Sequence, residues 1–250
     1  MTAPLRRQRE GAVLTLTLDR AEKRNALSQA LIAELHAALA EVDDAIAVVV
    51  LRGAGKDFCA GADLEELLAS ADRTPEENEA EALRLGRLFL ALGSCPAPVV
   101  AVVHGRALAG GCGLAAACDL VLARDDARFG YPEVLRGFVP AMVMAQLRRL
   151  VGPRAAYDLA ATGRVIGADE ARALGLVTRV LPADGFDAAA DAAVAELAAT
   201  SRSAQRFLKR LVHDLDGLDL EQGIALGARV NAAARATPDF RAALRQFLDR

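Results

Sequence analysis

No apolar run in this 250-residue sequence approaches the roughly 20 residues a membrane span needs. Ala45–Leu51 and Ala97–Val103, the latter including Pro98, are strand length, so no membrane partner is expected. The first ten residues carry Arg6, Arg7 and Arg9 with no hydrophobic region behind them, and no signal peptide is expected. An excess of one charge is missing too. The 30 basic residues stand against 33 acidic ones, net −3, which gives no global field for nucleic acid. Lysine is scarce (Lys23, Lys56 and Lys209 alone), a skew that goes with abundant alanine and points to coding bias rather than mechanism. Cys59, Cys95, Cys112 and Cys118 show no CxxC spacing and have only His104 nearby, so no metal site is expected. The default is reduced, buried thiols in a cytoplasmic protein. Walker A and GxSxG patterns, internal repeats and long low-complexity linkers are absent.

What is present is 53% hydrophobic residues with 25% charged ones, enough for a substantial buried interior and too apolar for a disordered chain. Val13–Leu18 alternates as a strand with one buried face. Leu27, Leu31, Leu35, Leu39 and Val42 recur at helical spacing. Ala45–Leu51 reads as a strand buried on both faces. A glycine-bearing loop over 53–61 leads to a helix that Asp63 can cap, and a second helix over 75–92 has an acidic start. A buried strand over 98–103, a glycine loop, a short helix over 114–117 and a strand over 119–123 follow. This alternation predicts an α/β core with largely parallel strands. From Phe186 onward alanine-rich helices run to Arg250, broken near 216–220 and at Thr237–Pro238. The chain therefore divides into a core over 1–185 and a helical region over 186–250.

Two loops between an apolar strand and a helix stand out: Lys56-Asp-Phe-Cys-Ala-Gly-Ala-Asp-Leu64, and His104-Gly-Arg-Ala-Leu-Ala-Gly-Gly-Cys-Gly-Leu114. Small residues let a ligand approach the backbone, and two amides converging on one oxygen make an oxyanion hole. The plainer reading is tight turns with small residues for packing. Gly111-Cys-Gly113-Leu-Ala-Ala116 matches GxGxxG/A, but the preceding strand ends near Val103, too far upstream for a dinucleotide turn.

Arg24-Asn-Ala-Leu27, Phe58-Cys-Ala-Gly-Ala-Asp-Leu64, the Gly105–Leu114 loop, Cys118-Asp119, Phe129-Gly-Tyr-Pro-Glu133 and Ala171-Arg-Ala-Leu-Gly-Leu-Val177 fall in order. With them the chain resembles the crotonase (enoyl-CoA hydratase/isomerase) superfamily from about Val13 to Leu248. The resemblance implies a crotonase-like α/β spiral of ββα units, followed by a C-terminal helical trimerisation region, so a homotrimer or homohexamer. It implies an acyl-CoA substrate, CoA being part of the substrate and no separate cofactor being required. The thioester carbonyl would be held by the Ala62 and Gly110 amides. The adenine pocket maps to Ala60, Ala62 and Leu64, with Ala26 a further contact, and the phosphate region to Arg24 and Lys56. Tyr131, Phe138 and Met142 complete the expected substrate contacts. Arg24 and Lys56 taken alone are ordinary surface charges, and only the aligned motif raises them. The short tail ending Phe247-Leu-Asp-Arg250 leaves a cross-subunit lysine contact to CoA expected to be missing.

The family's hydratases carry two glutamates, one in the glycine loop and one after a proline twenty residues on. The later one is Glu133, and the earlier position is Gly113. Met142-Val143-Met144 stands where hydratases have a glycine-rich segment beside the water site. Both departures favour proton shuttling by one carboxylate, as in the 3,2-enoyl-CoA isomerase branch. A glutamate restored at Gly113 should raise hydration if Met142–Met144 leave room for the water. Apolar neighbours of Glu133 should bury it and raise its pKa. The alternatives are an enoyl-CoA hydratase, including the methylglutaconyl-CoA type, and a catalytically weak acyl-CoA binder. Were hydration fast, Tyr131 and Asp119 would be the groups to activate water. A nucleic-acid partner on Arg148-Arg149 or the Arg202/Arg206/Arg210 stripe is the remote reading, since such spacing is first a solvated or interfacial face.

Overall fold

The computed structural model describes residues 3–249. Its strands and helices repeat as β-β-α units. The first is β1 (Leu5–Glu10), β2 (Val13–Leu18) and α1 (Gln29–Ala40), the helix capped by the Ser28 side chain accepting from the Leu31 N–H. The second is β3 (Val48–Gly53), a loop, α2 (Leu64–Ala69) and α3 (Pro75–Ser94). The third is β4 (Val99–Val103), β5 (Arg106–Leu108) and α4 (Gly110–Ala116). The fourth is β6 (Leu120–Arg124), β7 (Arg128–Gly130), a 3-10 turn over Pro132–Arg136 and α5 (Ala141–Thr162), kinked at Gly152–Pro153. β8 (Val165–Gly167), α6 (Ala168–Ala173) and β9 (Arg179–Leu181) close the spiral. α7 (Phe186–Ala198), α8 (Arg202–Asp214), α9 (Leu220–Arg235) and α10 (Pro238–Leu248) follow.

The first turn of the spiral puts both its strands, and each later turn one strand, into a large sheet ordered β1-β2-β3-β4-β6-β9 and parallel beyond the β1–β2 hairpin. The third and fourth turns add a second strand to a small sheet, β5-β7-β8. The second turn reaches that sheet through a single bridge, Cys59 to Ala107. β1 has no counterpart in the sequence reading, because only Leu5 of its six residues is buried and no apolar alternation marks it.

Strand alternation divides the interior. Val49 and Leu51 face a core built with α1, α3 and α4, while Val48 and Val50 face the other way with Val100, Val102 and Leu122. Phe186, Ala190 and Val194 of α7 cover that second face. Within the region from 186 onward, α7 thus packs on the sheet, and the less enclosed helices are α8–α10. Those three helices expose Leu208, Val212, Leu220, Ile224, Phe240 and Phe247 in the single chain.

α8 is tied down by Lys209, a residue that no local pattern marks. Its buried ammonium donates to the carbonyls of Leu92 (2.8 Å) and Ala97 (3.1 Å) and pairs with Asp119 at 2.7 Å. Asp119 also accepts from the Val99 N–H at 2.7 Å. Its carboxylate is thus held at the joint of α3, β4 and α8, and the water-activating role allowed for Asp119 is withdrawn. On the outer face of α8, Arg206 pairs with Asp44 and Arg210 with Asp214, while Arg149 of α5 pairs with Asp216.

Candidate active site

Backbone and side-chain bonds lock the two glycine-bearing loops together. The Phe58 N–H donates to the His104 carbonyl (3.1 Å), Cys59 N–H to Arg106 O (3.0 Å) and Leu108 N–H back to Cys59 O (3.0 Å). Asp57 accepts from the Arg106 N–H at 3.0 Å. Asn25, fully buried with φ +55°, donates to the carbonyls of Ala54 and Asp57, both at 2.8 Å, and so fixes the first loop from the α1 side. Neither Asn25 nor Asp57 is a candidate on sequence grounds. The signal available is a buried-loop Asn/Asp pair, which no periodicity reveals.

The plainer reading of the glycines holds at two positions. A Cβ on Gly105 would lie 2.0 Å from the Lys56 carbonyl, and one on Gly111 would lie 2.2 Å from the Cys59 carbonyl. Here glycine lets one loop's backbone rest on the other. Gly110 differs. The nearest atoms to a Cβ there would be Leu27 Cδ1 at 3.4 Å, Leu85 Cδ2 at 3.6 Å and the Ala62 amide nitrogen at 3.9 Å. The Leu27–Ala62 bridge uses the amides of Leu27 and Asp63, which leaves the Ala62 N–H on the opposite side of its strand. Gly110 opens α4, where first-turn amides lack an intrahelical acceptor. Ala62 and Gly110 thus border one space. Ala109 between the loops is held at φ +53°, ψ −129°, a conformation that costs an alanine about 1–3 kcal/mol.

Glu133 leaves the same small sheet. β5 and β7 pair in parallel with Leu108 opposite Gly130, and the Ala109 N–H donates to the Gly130 carbonyl at 2.8 Å. From that pair the chain runs two residues to Gly110 and three to Glu133. Glu133 is half-buried, and its Oε2 is buried with no hydrogen-bond partner. Burial raises its pKa above the ordinary glutamate value, opposed only by its own amide and by Arg136.

The position of the missing glutamate is filled. A Cβ on Gly113 would sit 2.3 Å from Val143 Cγ1 and 3.1 Å from Phe89 Cζ. The expectation that a glutamate could be restored at Gly113 by itself is corrected: α5 occupies that volume.

The CoA-contact candidates fall in one region. Ala60 donates its N–H to the Arg24 carbonyl (3.0 Å), Ala26 is buried and its carbonyl accepts from Arg20 (2.5 Å). Arg24 and Lys56 have exposed side chains, and Leu64 is 58% exposed at the start of α2. Asp63 caps α2 as expected. Burial opposes its charge, but Arg20 at 2.8 Å and the first amides of α2 hold its pKa low. Phe138 joins Val134, Leu135 and Val139 in an exposed apolar stretch, and Met142 packs half-buried near Gly86 of α3. Tyr131 is fully buried in the core and lines no open surface in this structure. Cys59 and Cys112, buried at the loop interface and beside Tyr131, have thiols pushed up by burial to about 12 and about 11.

Residues 8–250 match the sequence profile of the family described as enoyl-CoA hydratase/isomerase. A Thermus thermophilus protein assigned as an enoyl-CoA hydratase is 43% identical over 243 residues, covering 96% of each chain. The 2,3-dehydroadipyl-CoA hydratase of Escherichia coli is 34% identical over 245 residues, covering 97% of this chain and 94% of its own. The crystal structure of an enoyl-CoA hydratase from Mycobacterium smegmatis superposes with a TM-score of 0.94 at 36% identity, over 98% of this chain and 96% of that one. With the spiral, the interlocked loops and these likenesses in hand, the chain has the crotonase fold and belongs to the enoyl-CoA hydratase/isomerase family of enzymes.

Proposed function

We propose that this enzyme moves a double bond in an enoyl-CoA thioester by means of one carboxylate. The Ala62 and Gly110 amides hold the thioester oxygen, and Glu133 takes a proton from C2 of a 3-enoyl-CoA. The C–H electron pair passes into the enolate, whose charge gathers on that oxygen. The protonated Glu133 then returns the proton at C4, leaving the 2-enoyl-CoA, with no water consumed. One oxyanion-hole donor is worth about 2.7–4 kcal/mol in acyl-transfer chemistry. The observation that carries this reading is the filling of the Gly113 position by Val143 and Phe89, which leaves no second carboxylate there. Arg24 and Lys56 suit the CoA phosphates and Ala26, Ala60 and Leu64 the nucleotide. Four free thiols suit the reducing cytoplasm.

A second reading, hydration of a 2-enoyl-CoA, is favoured by the relatives' names. Initial rates on matched 3-enoyl- and 2-enoyl-CoA substrates separate the two. Since one acid–base group contributes about 10²–10⁴-fold, isomerisation should exceed hydration by at least about 10². Gly113→Glu alone should destabilise the fold, whereas Gly113→Glu with Val143→Gly should fold and raise hydration. Hydration by the native chain as fast as isomerisation would refute the single-carboxylate reading.

We also propose that the exposed apolar residues of α8–α10 bury against copies of the chain in a homotrimer or homohexamer. Sedimentation at micromolar concentration should show one of these, and a stable monomer would contradict it.

A further inference from the structure

One face of α3 is left uncovered. Leu88, Phe89 and Leu92 are buried in the core, while Glu76, Ala80, Leu83, Arg87 and Leu90 lie on the opposite side of the helix, Leu83 46% and Leu90 72% exposed. These five are spaced by four, three, four and three residues. That spacing keeps a seam along one side of a helix, as where two helices pack lengthwise. The charged side chains of α3 fall into two groups. Glu77 closes the capping box with Thr74, Glu81 pairs with Arg73, and Arg84 donates to Gln29 Oε1 at 3.2 Å. Glu76, Glu79 and Arg87 make no side-chain ion pair or hydrogen bond among the described residues. Glu76 and Arg87 stand on the seam with opposite signs, and between them lie one small and one large apolar residue, Ala80 and Leu83.

We propose that this face of α3 is a twofold contact between copies of the chain, which joins two of the trimers proposed above into a hexamer. A twofold axis crossing the seam midway between Ala80 and Leu83 runs the two helices antiparallel. It sets Leu83 of each copy against Ala80 of the other, large against small, and Arg87 of each against Glu76 of the other. The unpaired charges thereby find partners, and they also choose the orientation. A parallel, in-register pairing would oppose Glu76 to Glu76 and Arg87 to Arg87. The exposed apolar residues of α8–α10 belong to other helices and remain for contacts within the trimer. A single helix pair is small beside the roughly 1,000 Å² that a stand-alone interface clears. The seam therefore holds because trimers present three such faces at once.

The inference rests on that trimer, and sedimentation velocity at micromolar concentration separates the two. The native chain should run as a hexamer. Arg87→Glu should run as a trimer of half the mass, because the seam then opposes carboxylate to carboxylate. Glu76→Arg, made separately, should do the same with guanidinium against guanidinium. Mixed in equal amounts, the two variant trimers should recover the hexamer, since an acidic face then meets a basic one. Misfolding of either variant cannot give that recovery. A native chain that runs as a trimer, variants that both remain hexamers, or a mixture that stays trimeric overturns the α3 contact alone. Variants that fall to monomers place α3 inside the trimer and overturn the twofold assignment. A native monomer overturns the trimer and this contact together, whereas a native dimer that Arg87→Glu splits overturns the trimer and leaves the α3 contact standing.

Discussion

Glu133→Gln is expected to lower kcat for 3-enoyl-CoA isomerisation by about 10²–10⁴ while raising the melting temperature at neutral pH. The first effect follows from the absence of a second carboxylate, since Gly113 stands where another would act and Val143 fills the space. The second follows from the raised pKa. The native chain holds the Glu133 proton more tightly than the unfolded chain, because burial disfavours the charge. Native stability is therefore lost as pH rises from the ordinary glutamate value through the raised one, and the loss is complete above it. Glutamine does not ionise and escapes that loss. A tenfold difference in proton affinity between the folded and unfolded chains corresponds to about 1.4 kcal/mol. In a chain of this size each 1 kcal/mol moves the melting temperature by about 2–4 °C. Thermal melts of both proteins across pH 4–9 should converge at the acid end and diverge toward neutrality. Curves that stay parallel would mean that Glu133 carries no burial penalty.

Lys209→Met should cost about 3 kcal/mol, the low end of the range for removing one partner of a buried ion pair, because Asp119 keeps some exposure. The lysine's ammonium satisfies the Leu92 and Ala97 carbonyls as well as Asp119, so its loss strips that donor from both carbonyls and leaves the Asp119 charge with only the Val99 N–H where α3, β4 and α8 meet. Denaturant unfolding measures the loss directly. Lys209→Met with Asp119→Asn should lose less than the single variant, since the stranded charge is then removed, and the two substitutions should be non-additive by at least about 0.5 kcal/mol. Equal losses would mean that the pair is solvated in the native state.

The elements legible in the sequence were those with an apolar period or an unbroken apolar run. β2 and α1 follow from spacing, β3, β4 and β6 from apolar runs, with ends shifted by a few residues where caps such as Ser28 decide the start. The three-residue strands β5, β7, β8 and β9 are too short to show alternation, and the first three of them build the small sheet from whose end the segments carrying Gly110 and Glu133 both depart. The site was legible only through the resemblance. Composition and spacing favoured packing for the glycines, which is what Gly105 and Gly111 do. The roles of Asn25, Asp57 and Lys209 depend on carbonyls and amides distant in sequence, 112 and 117 residues away for Lys209, and no local pattern carries that information.

The fit of Gly111 onto the Cys59 carbonyl, and of Gly105 onto that of Lys56, makes the two loops a single packed unit. A bulkier residue in either would have to be matched by a retreat of backbone in the other. Transplanting one loop from a homologue to alter substrate preference would thus import a mismatch at the seam, while exchanging both together would carry the joint across intact. Diversification in such a scaffold should proceed instead at Leu64, Phe138 and Met142, whose side chains lie outside that seam.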